Sequence, residues 1–186
     1  MRIFNLVHNH IVTALFMTML VCILFTAPLR AQEQTLDQLF EELQQATAEE
    51  SLRIEEKIDT LWSKTGSAAM DLLLMRGRDA LAEGNVTAAI DHFSALVDHA
   101  PDFAQGYSMR AAAYYSAGYI GPALADIRTT ISLNPRHFGA LTGLGALREK
   151  MEQPQKALAA YQKVLELSPQ NKEVQEAVNR LLGASL

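Results

Sequence analysis

Residues 104–135 read AQGYSMRAAAYYSAGYIGPALADIRTTISLNP, and one register makes this stretch a template for the chain on both sides of it. Its landmarks are Tyr107, Ala111, Tyr114, Gly118, Ala123, Ile127 and Pro135. Thirty-four residues earlier stand Leu73, Gly77, Ala80, Gly84, Ala89, Phe93 and Pro101, and thirty-four later stand Leu141, Gly145, Arg148, Glu152, Ala157, Tyr161 and Pro169. No insertion interrupts the period. Each copy predicts a pair of helices, A and B, joined by a tight turn at Gly84, Gly118 or Gln153-Pro154 and closed by a proline that stops the second helix. Gly77, Ala111 and Gly145 mark where helix B approaches helix A, and Ala89, Ala123 and Ala157 face back from helix B. Phe93, Ile127 and Tyr161 fill the space beside these contacts.

With 186 residues, 49% of them apolar, the chain has ample material for a core. Its N-terminus differs from the rest. Ile11 to Ala27 carries no charge, follows Arg2 across a short polar run, and ends at Pro28, Leu29, Arg30 and Ala31. This is the pattern of a secretory signal over residues 1–31 with cleavage after Ala31. The competing reading is an uncleaved inner-membrane anchor, because 17 uncharged residues reach the short end of a membrane span. Cys22 lies inside the apolar run and lacks the small residue before it that a lipoprotein signal carries. Its removal leaves a thiol-free chain, which suits an oxidising compartment such as the periplasm.

Without Arg2 and Arg30 the chain has 14 basic and 21 acidic residues, a net charge of −7, which argues against nucleic acid. The excess is local. Glu33 to Asp59 holds nine acids against Arg53 and Lys57, whereas the chain from Thr60 onward has 12 of each sign. Within the acidic segment two capping boxes, Thr35 with Gln38 and Thr47 with Glu50, each open an apolar helical face. The first carries Leu36, Leu39, Phe40 and Leu43; the second carries Ile54, Ile58, Leu61 and Trp62 and stops by Gly66. Residues 32–67 therefore read as an antiparallel helical hairpin. At the other end Val174, Val178 and Leu181 share one face of a helix within 172–186, with Lys172, Glu173, Glu176 and Arg180 elsewhere.

No converging base, nucleophile or metal set accompanies this pattern. His92 and His99 stand two helical turns apart, roughly 10 Å along the axis, too far to share an ion. His137 reads as a helix-start residue, and Gly143 and Gly145 sit mid-helix where they serve packing rather than phosphate binding. The expectation is therefore no enzyme, no cofactor and no metal.

The 34-residue period with its small, aromatic and proline positions resembles the tetratricopeptide repeat (TPR) family, closely so from Met70 to Pro169. The resemblance implies an all-α fold: a right-handed α-solenoid of three TPR helix pairs at 70–103, 104–137 and 138–171. The hairpin becomes a degenerate repeat capping the N-terminal end, and the last helix caps the C-terminal end. The chain departs from the family pattern at Arg76 and Arg110, which take a usual Leu position, at Arg148, which replaces an aromatic, and at Glu152, which replaces the turn glycine. The arginine stems can pack while their heads reach water or nearby acids.

In the family, partners lie along the concave surface of the A helices. Here the resemblance places that surface on Asp71, Leu74, Arg78 and Leu81, on Gln105, Ser108, Ala112 and Tyr115, and on Gly139, Thr142, Ala146 and Glu149. Chaperone-binding members hold a C-terminal carboxylate with a basic and Asn cluster; the matching positions are Leu74, Arg78, Met109, Gly139 and Gly143, with Arg78 the one cation. The implied function is a non-enzymatic interaction scaffold or adaptor of the bacterial periplasm that takes a peptide or protein segment by shape. It implies no nucleic acid and no small-molecule cofactor, and contact with the membrane only through an uncleaved signal. The alternative is a structural homo-oligomer associating through its hairpin or end helices.

Overall fold

The computed structural model describes residues 35–183, so the signal read over residues 1–31 lies outside the described residues. Helix α1 is helical over 35–45. It is followed by α2 (Ala48–Trp62), α3 (Ala68–Ala82), α4 (Val86–His99), α5 (Ala104–Ser116), α6 (Ile120–Leu133), α7 (Phe138–Lys150), α8 (Pro154–Leu167) and α9 (Lys172–Gly183). Among the described residues there is no strand. Residues 40–183 belong to one compact unit, which the described residues 35–39 at the start of α1 do not share.

The three A–B pairs are α3/α4, α5/α6 and α7/α8, and each turns in the same way. After α3 the Gly84 amide donates to the Leu81 carbonyl at 3.1 Å and the Asn85 amide to the Ala80 carbonyl at 2.8 Å. These two bonds satisfy carbonyls that the helix end leaves free, and they require a left-handed residue between them. Gly118 repeats the arrangement with bonds to Tyr115 (3.0 Å) and, through Tyr119, to Tyr114 (2.8 Å). The third turn keeps the same bonds without a glycine: Glu152 takes φ +57°, against +76° at Gly84 and +80° at Gly118.

The small-residue positions are set by what helix B carries. A Cβ on Gly77 would lie 2.3 Å from the Phe93 ring, and one on Gly145 would lie 2.3 Å from the Tyr161 ring. In the middle pair the smaller Ile127 leaves room for Ala111, and both are buried beside Ala123 and Leu147. The first pair's core joins Leu74 and Ala80 to Ala89, Phe93 and Leu96 and borrows Ala113 from α5. The third joins Leu141 to Ala157, Tyr161 and Val164 and is covered by Val174 and Ala177 of α9. Each core thus closes on the next helix, as stacked repeats require, and α9 supplies the last such helix.

Arg110 finds an acid inside the stack. Its Nε and Nη2 donate to the two Asp126 oxygens at 2.7 and 2.9 Å, tying α5 to α6 with both side chains largely buried. Tyr107 and Tyr114 present their rings to the guanidinium at 5.6 and 5.7 Å. Arg148 donates to Gln153 Oε1 at 2.9 Å across its own turn.

Helix α2 begins with the expected capping box, the Glu50 amide donating to Thr47 Oγ1 and the Thr47 amide to Glu50 Oε2. Its placement differs from an end cap. A cap would rest on the first helix pair alone, whereas α2 reaches α3 through Arg78, α5 through Gln105, α7 through His137 and Phe138, and the α8–α9 turn through Ser168. The physical reason is that Glu55, Asp59 and Trp62 find their partners on successive A helices and on that last turn, so the helix runs across the repeats.

Candidate functional site

Between α5 and α7 lies an open cleft of about 370 Å³. Small residues on both walls create it: Ser108, Ala111 and Ala112 on α5 and Gly139, Ala140, Gly143 and Ala146 on α7, with Ile127 reaching in from α6. Helical spacing aligns these positions on facing sides, and none carries bulk enough to bridge the gap. A Cβ on Gly143 would come to 3.1 Å from Ile127 Cδ1, so this glycine widens the cleft where α6 approaches. Tyr115 stands at the edge, 39% exposed, with Lys150 Nζ 4.9 Å from its ring centroid.

The opposite edge is polar and ordered. Asp59 of α2 accepts from Gln105 Nε2 at 2.8 Å, and Gln105 Oε1 lies 2.7 Å from His137 Nε2. The Ala140 amide donates to His137 Nδ1 at 3.1 Å, capping α7. That bond leaves Nδ1 without a proton, so Nε2 carries it and donates to Gln105, whose amide group then faces Asp59. Burial pushes the imidazole down to about 4, against the smaller opposing pull of Asp59, which keeps the ring neutral at physiological pH.

Of the twelve surface positions inferred from the resemblance, Gln105, Ser108, Ala112, Tyr115, Gly139 and Ala146 line this cleft. The others stand elsewhere. Leu74 is buried at 3% exposure in the first core, and Leu81 packs against the same cluster. Asp71 accepts from the Thr65 amide at 3.0 Å and from its hydroxyl at 2.6 Å, holding the linker that enters α3. Arg78 donates to Asp59 at 3.2 Å and to Ser63 Oγ at 2.8 Å, so the one candidate cation for a carboxylate clamp is engaged by α2. Thr142 donates to the Phe138 carbonyl within its own helix. Glu149 accepts from the Tyr161 hydroxyl at 2.7 Å and pairs with Arg180 at 2.8 Å, facing α8 and α9.

Asp59 and His137 join the cleft without having been placed there from sequence. The helix-start position of His137 is a usable signal for its capping role; nothing in the repeat period points to Asp59, which lies outside it. Chemically the cleft offers shape, apolar surface and an aromatic edge. Its Asp59 and His137 are already engaged, bridged by Gln105 and held by Arg78 and the Ala140 amide, and among the described residues no group of three His, Cys, Asp or Glu gathers to hold a metal.

Models of the tetratricopeptide repeat match residues 74–119 and 139–171. A TPR repeat-containing protein of Rhizobium etli is 31% identical over 150 residues, which cover 80% of this chain and 74% of that protein. Hsp70-Hsp90 organizing protein 2 of Arabidopsis thaliana is 30% identical over 105 residues, 56% of this chain but 18% of its own length. Among solved structures, the first TPR of Spaghetti bound to the HSP90 peptide SRMEEVD aligns with a TM-score of 0.60 at 26% identity, covering 62% of this chain and 91% of that one.

Proposed function

Because this chain belongs to the tetratricopeptide repeat family, we propose that it is a non-enzymatic interaction module holding a segment of another protein in the cleft between α5 and α7. The observation that carries this is the cleft itself, a small-residue channel on the A-helix face with the Tyr115 ring exposed at its edge. Such a channel suits an extended or helical segment that inserts side chains between the walls and lays one against the aromatic. The likeness to a peptide-bound TPR supports a protein or peptide as the ligand class. The ligand differs in kind from an acid-ended peptide held by a cationic clamp, since Arg78 is engaged by Asp59 and Leu74 is buried.

We place the work of the module in the periplasm, after export and removal of residues 1–31; the native protein should then begin at Gln32 when sequenced from its N-terminus. The cleft itself is tested by binding of the partner to the full chain and to Ala112→Arg and Tyr115→Ala. Both positions are exposed, so both variants should melt within about 0.5 kcal/mol of the parent. Loss of partner binding in both is expected, and retained binding in both moves the site off this face.

A second reading, self-association, draws on one observation: Leu72 (39% exposed) and Met75 (51%) lie one turn apart on α3. Light scattering on the chain at micromolar concentration separates a dimer through this face from a monomeric adaptor.

A further inference from the structure

Helix α2 carries Glu55, Asp59 and Trp62 at i, i+4 and i+7, a single face. Glu55 Oε1 accepts from Ser168 Oγ at 2.6 Å and from Asn171 Nδ2 at 3.1 Å. Asp59 accepts from Arg78 and Gln105, and Trp62 stacks on His137 with centroids 4.6 Å apart and packs beside Phe138 at 5.1 Å. Gln44 of α1 donates to the Glu166 and Leu167 carbonyls at 2.7 and 3.0 Å, which the end of α8 leaves free. Phe40 lies under the Arg136 guanidinium at 4.5 Å.

The seat is one of donors. Arg78, Gln105, Ser168 and Asn171 supply hydrogens, and the helix brings the carboxylates, from a segment with nine acids and two bases. The buried clusters around Phe93, Ile127 and Tyr161 contain no residue of α2, which reaches the edge of the third where Trp62 meets Phe138. Residues 63–67 join α2 to the repeats and include Gly66 at φ +78°, a short tether with a left-handed bend.

We infer that this seat is a receptor for an acidic amphipathic helix presenting a carboxylate and, three residues on, an aromatic ring, with α2 as its resident occupant and a partner helix of the same chemistry entering by displacing it. The inference rests on reading the A-helix face as the partner-binding face and adds the chemistry of the partner. A tether this short gives α2 an effective concentration on the order of millimolar, so a competing helix binds weakly until the resident contact is loosened.

Trp62 is the sole tryptophan of the chain, so its emission reads whether α2 is seated. The probe is a labelled synthetic peptide copying residues 48–62 with its tryptophan replaced by phenylalanine, titrated against the full chain by anisotropy while Trp62 emission is followed. In the parent chain, weak saturable binding with a red shift of Trp62 is expected. Asp59→Lys, which sets a cation against Arg78, should red-shift Trp62 before peptide is added and tighten peptide binding at least tenfold; Glu55→Lys gives the same readout from the Ser168 end should Asp59→Lys fail to fold. Absence of peptide binding to the parent and to a folded loosened variant overturns the inference and makes α2 a fixed part of the fold. A concentration-dependent dimer that exchanges hairpins without responding to peptide overturns it in favour of a second copy. Either result leaves the Ala112→Arg and Tyr115→Ala outcomes free to stand or fall alone, so the two readings fail separately.

Discussion

Trp62 lies stacked on His137, and through the Gln105 amide the same imidazole is linked to Asp59, three residues before that tryptophan. One neutral ring therefore caps α7, orients Gln105 and receives α2. A second proton on it would point at the Ala140 amide, donor against donor.

That geometry gives stability a pH dependence with a definite sign. The folded ring titrates at about 4, below its unfolded value near 6.5, so the unfolded chain takes up the proton first. The contribution is fully present above pH 6.5 and is lost as pH falls toward 4, by roughly 3 kcal/mol at most. His137→Asn, which can still cap α7, should remove this part of the slope. Urea unfolding at pH 7.5, 5.5 and 4.5 checks it; an unchanged slope would mean that the ring is not held neutral by the fold.

The pairing of Gly77 with Phe93 and of Ala111 with Ile127 predicts a reversal of sign. Gly77→Ala alone should destabilise by about 1–3 kcal/mol, because the new methyl meets the Phe93 ring. In a Phe93→Ile background the clash is gone, and the same change should become neutral or stabilise by up to about 1 kcal/mol through helix propensity. Denaturant unfolding of the four proteins of this cycle gives the coupling directly.

Glu152 holds a left-handed conformation that glycine serves in the two sister turns. Glu152→Gly should stabilise the chain by up to about 1 kcal/mol, the relief of side-chain strain exceeding the added freedom of the unfolded chain. Thermal melts of the parent and variant decide it, and a lower melting temperature would show that the Glu152 turn is unstrained.

Arg110 and Asp126 behave as a unit. Removing the cation alone in Arg110→Met leaves a carboxylate at 8% side-chain exposure without its partner, a loss of about 3–5 kcal/mol. Arg110→Met with Asp126→Leu should recover most of it, since an apolar pair of similar volume avoids the desolvation of both charges. Unfolding of the double variant at the level of the single would place the value of the pair in its contacts with Tyr107 and Tyr114.

The repeat architecture is legible because one short spacing is written three times, with turn glycine, small contact residue and proline all in register. The close approaches at Gly77 and Gly145 follow from that register, and the capping box at Thr47 and the start of α7 at His137 follow from local rules. The course of α2 does not. Its partners, Gln105, His137 and Ser168, lie far along the chain, no period relates them to α2, and a repeat-like apolar spacing is equally compatible with an end cap. The cleft is half legible for the same reason. Positions on α5 transfer well from the resemblance, whereas Arg78 is taken by α2 and Glu149 by Tyr161 and Arg180, partners that a repeat template leaves blank.

The most direct test of the cleft as the partner site is site-specific photocrosslinking in the full chain, with the photoreactive residue replacing Tyr115 in one sample and Met75 in another. Both positions are exposed, so both report on accessible surface. A discrete crosslink to the partner is expected from position 115, abolished by Ala112→Arg, and none from position 75. A crosslink from position 75 that survives Ala112→Arg, with position 115 silent, would contradict this expectation.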